Sequence, residues 1–204
     1  MSPIVGVLIA YLAGSIPSAY IAGKVRGVDL RKHGSGNLGA TNVVRVLGAK
    51  IGAVVFVADL LKGFLPVYFL PIYTETLRPE MWALVYGAAA ILGHVKPIFL
   101  LGKGGGKGVA TASGVFLALA FVPMLIAEVA WIGVFYFTRY VSLASLVGAA
   151  VLPIAIVVLY REPQSPVFIA SVIISAFVFW THRANIGRLR RGEEHKFVKK
   201  ERAA

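Results

Sequence analysis

The chain has 204 residues, of which 58% are hydrophobic and only 15% are charged, and its mean hydropathy is +0.78. Because a soluble domain carries about 25% charged residues, this composition excludes an ordinary water-soluble globular protein. Lys and Arg number 21 against 9 Asp and Glu, a formal net charge of +12, and a membrane separates such charge from apolar segments. The chain has no cysteine, which excludes a disulfide framework, a thiolate metal site and a cysteine nucleophile.

Hydropathy predicts an all-α integral membrane protein, because about 20 apolar helical residues cross a bilayer core of about 30 Å. A bundle of seven transmembrane helices is predicted, with bounds near 3–23, 51–72, 80–99, 108–121, 123–138, 142–160 and 166–182. The first segment is interpreted as a retained helix rather than a signal peptide, since it has no basic n-region. Pro123 is expected to separate the fourth helix from the fifth, and merging these two gives six helices as the fallback.

The basic residues are distributed unevenly around these helices. Eighteen of the 21 lie after helices one, three, five and seven or at the adjoining helix ends, whereas the other side holds only Arg78 and Arg161, and Lys62 lies inside a helix. The positive-inside rule makes the basic side cytoplasmic, with the N-terminus outside and the C-terminus inside, and this distribution favours the odd helix count. Residues 1–204 are thus predicted to form a single polytopic membrane domain with a basic cytoplasmic tail over 183–204.

Three segments on this basic side are unusually polar, although they lie far apart in the sequence. They are G-S-G-N-L-G-A-T-N-V-V-R from Gly34, the glycine-rich segment 94–111 and the segment 181–196. Glycines allow backbone N–H groups to turn toward an anion, and Ser, Thr, Asn, Lys and Arg add neutral and charged donors. These residue types together predict a phosphate-binding site at the membrane interface.

The glycine spacings also suggest two nucleotide-binding motifs, which the surrounding residues exclude. A dinucleotide-binding turn needs a buried strand before its first glycine, whereas R-G-V-D-L-R-K-H precedes Gly34. A P-loop needs Ser or Thr after its lysine and a glycine five residues before its second glycine. Here Gly108 follows Lys107, and Leu101 occupies the earlier position.

The three segments resemble the signature loops of the bacterial acyl-phosphate:glycerol-3-phosphate acyltransferases (PlsY type). The resemblance covers almost the whole chain and extends to G-S-I-P-S-A-Y in helix one and A-D-L-L-K-G in helix two. It implies a bacterial inner-membrane enzyme with its active site on the cytoplasmic face. Such an enzyme moves a fatty acyl group from acyl phosphate to the 1-hydroxyl of sn-glycerol 3-phosphate, giving lysophosphatidic acid and phosphate. The expectation is a lipid-surrounded protein without cofactor, metal, nucleic acid or obligate protein partner.

The resemblance also implies roles for individual residues in each loop. The first-loop residues that would hold the acyl-phosphate headgroup are Ser35, Asn37, Thr41, Asn42 and Arg45. The second-loop residues that would hold glycerol phosphate are Gly104, Gly105, Gly106 and Gly108, with Lys103 or Lys107. In the third motif, His182 and Asn185 would matter for activity and Glu194 would be structural. Ser35, Arg45, His182 and Asn185 are the candidate catalytic residues.

Two questions about the chemistry stay open at this point. The second loop is one glycine longer than the K-G-G-K-G common in the family, so the resemblance does not decide between Lys103 and Lys107. The proton of the attacking hydroxyl can go to His182 or to an oxygen of the acyl phosphate. The second route is favoured slightly, because no carboxylate beside His182 in the sequence could orient its imidazole.

Residues outside the three loops allow further expectations. Asp59 and Lys62 lie three apart on one helical face and are predicted to pair inside the bundle, while His94 serves either helix-end packing or the site. The main alternative function is a transporter of phosphate or a phosphorylated small molecule. It is disfavoured because no internal repeat is evident and the motifs cluster on one side.

Overall fold

The computed structural model describes residues 1–197, which are helical and contain no strand. The α-helices in chain order are α1 Pro3–Ser15, α2 Ser18–Val25, α3 Ala40–Leu47, α4 Ala49–Tyr73, α5 Pro79–Val95, α6 Val109–Leu119, α7 Phe121–Thr138, α8 Val141–Tyr160, α9 Pro166–Thr181 and α10 Arg183–Arg190. The start of the predicted basic tail is therefore helical, and residues 198–204 lie outside the described part.

The predicted class of an all-helical membrane protein is confirmed, but the count of seven crossings is not. Within residues 1–197, five helical segments are long and apolar enough to cross a bilayer: Pro3–Val25, Ala49–Tyr73, Pro79–Leu100, Phe121–Thr138 and Val141–Tyr160. The pair formed by α9 and α10, bent by 60°, gives a sixth. Helix α6 has 11 residues and is about 16 Å long, roughly half the thickness of a bilayer core.

The first span is broken in its middle at Ile16–Pro17, between α1 and α2. Pro17 has no N–H and cannot continue the helical ladder. The carbonyl of Ile16 instead accepts from the Ser18 N–H at 3.0 Å and from Lys62 Nζ at 3.0 Å. Lys62 of α4 thus stabilises the break in the first span. A break within a membrane-spanning helix needs such a partner, because lipid cannot bond to the freed carbonyl.

The boundary between α6 and α7 differs from the prediction. We expected Pro123 to interrupt the helix, but the interruption lies at Ala120, whose φ is −149°. Pro123 is the third residue of α7, where the N–H that proline lacks would have no helical partner in any case.

The chain divides into two compact units, the first of which is Met1–Phe121. Within it, α1 packs against α5, and α4 packs against both α5 and α6. Small residues permit these close approaches: a Cβ on Gly114 of α6 would overlap the Leu60 carbonyl of α4, and one on Gly14 of α1 would overlap the backbone of Ala90. Membrane helices associate through such small-residue contacts because lipid supplies no hydrophobic drive for helix pairing.

The second unit is Val122–Ala204, and its described part packs α8 against α9, with α10 contacting both. Trp131 of α7 donates its indole N–H to Ser145 Oγ of α8 at 3.2 Å, and the Phe197 N–H donates to the Arg139 carbonyl at 2.8 Å. That second bond fixes the chain after α10 to the turn between α7 and α8. The sequence-based expectation of a single domain over 1–204 stays a prediction.

The close contact between α4 and α6 predicts a strong effect of Gly114→Leu. The added side chain meets the Leu60 backbone, which cannot move without displacing α4, so we expect a loss of about 2 kcal/mol in the free energy of unfolding. The measurement is the thermal unfolding midpoint of the detergent-purified protein. Gly133→Leu is the matched control, since a Cβ at Gly133 of α7 meets no atom within 4 Å. Equal midpoints for the two variants would contradict the packing argument.

Candidate active site

The first loop is closed by one buried side chain, that of Asn42 in α3. Asn42 is only 1% exposed, and its Nδ2 donates to the carbonyls of Leu30 at 3.2 Å and His33 at 3.1 Å. Its Oδ1 accepts from the Ser35 N–H at 2.8 Å. Gly34 has a φ of +61°, and a Cβ there would overlap Asn42 Oδ1. Asn42 therefore holds the loop in shape, and its predicted contact with substrate stays a prediction.

An ion pair rigidifies the segment before this loop. Arg31 donates two hydrogen bonds to the Asp29 carboxylate, from Nε to Oδ1 at 2.9 Å and from Nη2 to Oδ2 at 3.0 Å. The Arg31 guanidinium also lies 5.4 Å from the centre of the Tyr20 ring. The hydrogen bonds from Arg31 lower the pKa of Asp29 to about 2. The pair therefore stays ionised at all physiological pH values.

The other predicted first-loop residues lie on the open side of the loop or on the adjoining helix. Ser35 is exposed, and Asn37, Thr41 and Arg45 are half-buried. Thr41 and Arg45 lie one turn apart on α3, so that they share a helical face. The predicted hydroxyl and guanidinium groups are thus carried by a short helix whose entry is fixed by Asn42.

The second loop turns by placing glycines in conformations that other residues rarely adopt. Gly104 has a φ of +74° and Gly108 a φ of +83°, and Gly108 directly precedes the first residue of α6. A Cβ on Gly105 would overlap the carbonyls of Val95 and His94, and one on Gly106 would overlap the His94 ring. The glycines thus allow the loop to pack directly on the end of α5.

Both candidate lysines belong to this loop but differ in environment. Lys103 is exposed before Gly104, whereas Lys107 is half-buried between two buried glycines, immediately before α6. Backbone amides at the start of a helix and an adjacent lysine together favour an anion. The assignment of the two phosphates to the two lysines stays open.

The first and second loops contact each other. A Cβ on Gly106 would lie 3.1 Å from the Leu38 carbonyl, and one on Gly104 would lie 3.6 Å from Arg31 Cδ. A narrow cleft lies beside this contact. Its lining includes Ser15, Lys62 and His94, together with Leu38 of the first loop and Gly104–Gly106 of the second. These two loops therefore lie side by side within the Met1–Phe121 unit.

Three ionisable side chains, those of Asp59, Lys62 and His94, are part of the wall of this cleft. Lys62 Nζ lies 2.8 Å from Asp59 Oδ1, and both side chains are nearly buried, so the predicted pairing is present. His94 is 6% exposed, and its Nδ1 lies 3.8 Å from Asp59 Oδ1. The helix-end position of His94 thus serves packing and also contributes to the cleft.

The third motif lies in the other unit, where it is arranged around Glu194. Oε1 of Glu194 accepts from Asn185 Nδ2 at 2.6 Å and from Ser142 Oγ at 2.9 Å, and Oε2 accepts from Arg188 Nε at 2.7 Å. Burial of the carboxylate tends to raise its pKa, but the hydrogen bonds from Asn185, Arg188 and Ser142 together lower the pKa of Glu194 below its ordinary 4.5. This geometry supports the structural role predicted for Glu194.

Ser142 is a site residue that sequence reasoning missed. It lies on α8 and is 5% exposed, and it donates a hydrogen bond to Glu194 of the third motif, 52 residues later in the chain. A serine in an apolar span is an ordinary feature, because its hydroxyl can bond to its own helix. No local pattern therefore distinguishes Ser142.

A backbone carbonyl orients the His182 ring. It is 3% exposed, and its Nδ1 lies 2.8 Å from the Val178 carbonyl. Because a carbonyl only accepts, Nδ1 carries the proton of the neutral imidazole, which leaves the lone pair on Nε2. The absence of a carboxylate near His182 in the sequence is thus no obstacle to a fixed tautomer.

The site residues are distributed over both units, with the first two loops in Met1–Phe121 and the third motif after Val122. That all three form one pocket stays a prediction. Within residues 1–197, no three His, Cys, Asp or Glu side chains come together as a metal-binding group.

The hydrogen bonds of Glu194 predict that its contribution to stability depends on pH. Since the folded-state pKa is lowered, the contribution is present above pH 4.5 and is lost as the pH falls through the folded value. We expect Glu194→Gln to cost about 2 kcal/mol at neutral pH and progressively less as the pH falls below 4.5. Thermal midpoints of the two proteins between pH 3 and pH 8 measure this. A difference that does not vary with pH would contradict the proposed charge-assisted network.

Comparison with known proteins identifies relatives over nearly the whole chain. A family model described as glycerol-3-phosphate acyltransferase matches residues 4–192. The glycerol-3-phosphate acyltransferase of Geotalea daltonii is 46% identical over 200 residues, covering 96% of this chain and 98% of the relative. The enzyme of the same name from Aquifex aeolicus is 44% identical over 192 residues, covering 94% and 97%.

Two crystal structures share the fold. The glycerol 3-phosphate form of PlsY (YgiH), an integral membrane glycerol 3-phosphate acyltransferase, is 40% identical, with a TM-score of 0.88 and coverage of 96% of each chain. Its lysophosphatidic acid form is 39% identical, with a TM-score of 0.84 and coverage of 96% and 95%. On this agreement of sequence, coverage and fold, the chain belongs to the glycerol-3-phosphate acyltransferase family.

Proposed function

We propose that this protein transfers a fatty acyl group from acyl phosphate to the 1-hydroxyl of sn-glycerol 3-phosphate. The products are lysophosphatidic acid and inorganic phosphate. The observation that carries the proposal is the similarity over 96% of the chain to a PlsY whose solved forms contain glycerol 3-phosphate and lysophosphatidic acid. The two glycine-bearing loops, which contact each other beside a cleft, supply the anion-binding chemistry that such substrates need.

The reaction needs positioning and charge stabilisation more than activation. Acyl phosphate is a mixed anhydride, so the hydroxyl oxygen of glycerol 3-phosphate attacks the acyl carbon directly, a C–O bond forms and the bond to phosphate breaks. The protein must align the two substrates and stabilise the departing phosphate. Ser35 and Arg45 are the proposed groups at the acyl phosphate, and the backbone of Gly104–Gly108 is the proposed cradle for glycerol phosphate.

The hydroxyl proton is proposed to leave with the phosphate, on an oxygen of the acyl phosphate. This route closes the proton balance without a protein base, because the leaving group becomes hydrogen phosphate. Under this proposal His182 is held by its bond to the Val178 carbonyl and does not act as the base, while Asn185 is held by its bond to Glu194.

We also propose that the protein crosses a bacterial inner membrane seven times, with the N-terminus outside and the site on the cytoplasmic side. The distribution of basic residues supports this orientation, since 18 of the 21 fall on one side of a seven-helix arrangement.

The test of the function is a radiochemical assay of the purified protein with palmitoyl phosphate and labelled glycerol 3-phosphate. We expect labelled lysophosphatidate to form with EDTA present and without nucleotide. Palmitoyl-CoA in place of palmitoyl phosphate should give no product above background. Product from palmitoyl-CoA alone would overturn the proposed donor, and no product from either donor would overturn the activity.

His182→Gln distinguishes the two proton routes. If the acyl phosphate takes the proton, the variant should keep kcat within about tenfold of the unmodified protein, whereas an obligate general base contributes about 10²–10⁴-fold. The pH profile of kcat/KM is the second readout. An acidic limb near pH 6.5 that disappears in His182→Gln would assign the proton to His182 instead.

A further inference from the structure

The Met1–Phe121 unit encloses three ionisable side chains that the proposed mechanism does not use. Asp59 is 1% exposed, Lys62 8% and His94 6%. Asp59 lies at the centre of this charged cluster, 2.8 Å from Lys62 Nζ and 3.8 Å from His94 Nδ1. Asp59 and Lys62 belong to α4, and His94 lies in the last turn of α5.

The members of the charged cluster reach two pieces of irregular backbone. Lys62 Nζ donates to the Ile16 carbonyl at the break between α1 and α2, at 3.0 Å. The His94 ring packs against Gly106, so closely that a Cβ on Gly106 would overlap the ring. The cluster thus connects the break in the first span to the glycine loop, and all of these groups line one cleft.

Stability alone is a weak reason to bury such a cluster. The attraction within a buried ion pair often fails to repay the desolvation of its charges, and apolar replacements of similar volume are often neutral or stabilising. Ionisable groups inside membrane spans usually serve function. Three polar atoms buried in the cleft wall, His94 Nδ1, Ser15 Oγ and Asp59 Oδ1, have no hydrogen-bond partner within residues 1–197 beyond the ion pairs of Asp59.

We propose that Asp59, Lys62 and His94 are positioning residues that hold Gly104–Gly106 in the shape that binds the phosphate of the acceptor substrate. Asp59 pairs with Lys62 and lies beside His94, Lys62 donates to the Ile16 carbonyl, and the His94 ring packs against Gly106. This inference rests on the proposed acyl transfer to glycerol 3-phosphate. It makes the charged cluster a determinant of acceptor binding rather than of donor binding or of the chemical step.

The decisive variant is the double substitution Asp59→Asn/Lys62→Met. It removes both charges together, so it leaves no unpaired buried ion, and single variants that fail to fold do not prevent the test. Tyr86→Phe is the matched control. It deletes an equally buried hydroxyl from α5, the helix of His94, but Tyr86 packs against Gly6 rather than lining the cleft.

Three quantities are measured for the unmodified protein and both variants: the KM for each substrate, the thermal midpoint, and the hydrogen-exchange rates of the peptide covering 102–108. For the double variant we expect the KM for glycerol 3-phosphate to rise about tenfold to a hundredfold. The KM for palmitoyl phosphate should change less than about threefold, exchange in 102–108 should accelerate, and the thermal midpoint should stay near that of Tyr86→Phe.

The outcomes separate this inference from the proposed function. An active unmodified protein together with a double variant of unchanged acceptor KM and unchanged exchange would overturn the positioning role alone. A double variant that only melts earlier, with both KM values unchanged, would also overturn it and leave a purely structural cluster. An unmodified protein that forms no lysophosphatidate would overturn the proposed function, and the acceptor role of the cluster with it.

Discussion

Irregular backbone beside apolar helices must have its polar groups satisfied within the protein, because lipid offers no hydrogen bonds. In this protein single buried side chains meet much of that requirement. Asn42 binds two carbonyls and one N–H of the first loop, and Lys62 binds the carbonyl exposed at the break of the first span. Glu194 collects three donors at the third motif. The first loop, the break in the first span and the third motif therefore each have a buried side chain that satisfies several neighbouring polar groups or an exposed carbonyl.

These buried side chains differ in environment from the first-loop residues that we propose as substrate contacts. Asn42 and Glu194 use their polar atoms on neighbouring protein groups, while Ser35, Thr41 and Arg45 lie less buried on the loops and helices so positioned. Gly105 and Gly106 have no side chain, and this allows the second loop to pack directly on His94 and Val95. The same division explains how motifs dominated by Gly, Ser and Asn can form a defined site at a bilayer surface.

The Asp59–Lys62 pair beside the glycine-rich loop is consistent with the proposed acyl transfer, in which both substrates carry a phosphate. Such a reaction gains its rate mainly from alignment, and small displacements of a binding loop are costly. A charged pair fixes geometry more tightly than an apolar contact, since its energy depends on the distance and direction of the partner. The Asp59–Lys62 pair and His94 are thus placed where rigidity would affect the acceptor directly.

The amino-acid sequence was sufficient to predict the helical membrane class, the bounds of the long apolar segments within a few residues, the three motif segments and the Asp59–Lys62 pair, but not α3, α10 or the break between α1 and α2. Those features depend on hydropathy, on residue type or on a spacing of three along one helix. The break at Ala120 rather than Pro123, the roles of Asn42 and Ser142, and the orientation of His182 by the Val178 carbonyl required the tertiary structure. They arise from contacts between groups remote in sequence, or from backbone geometry that a proline or a serine permits but does not dictate.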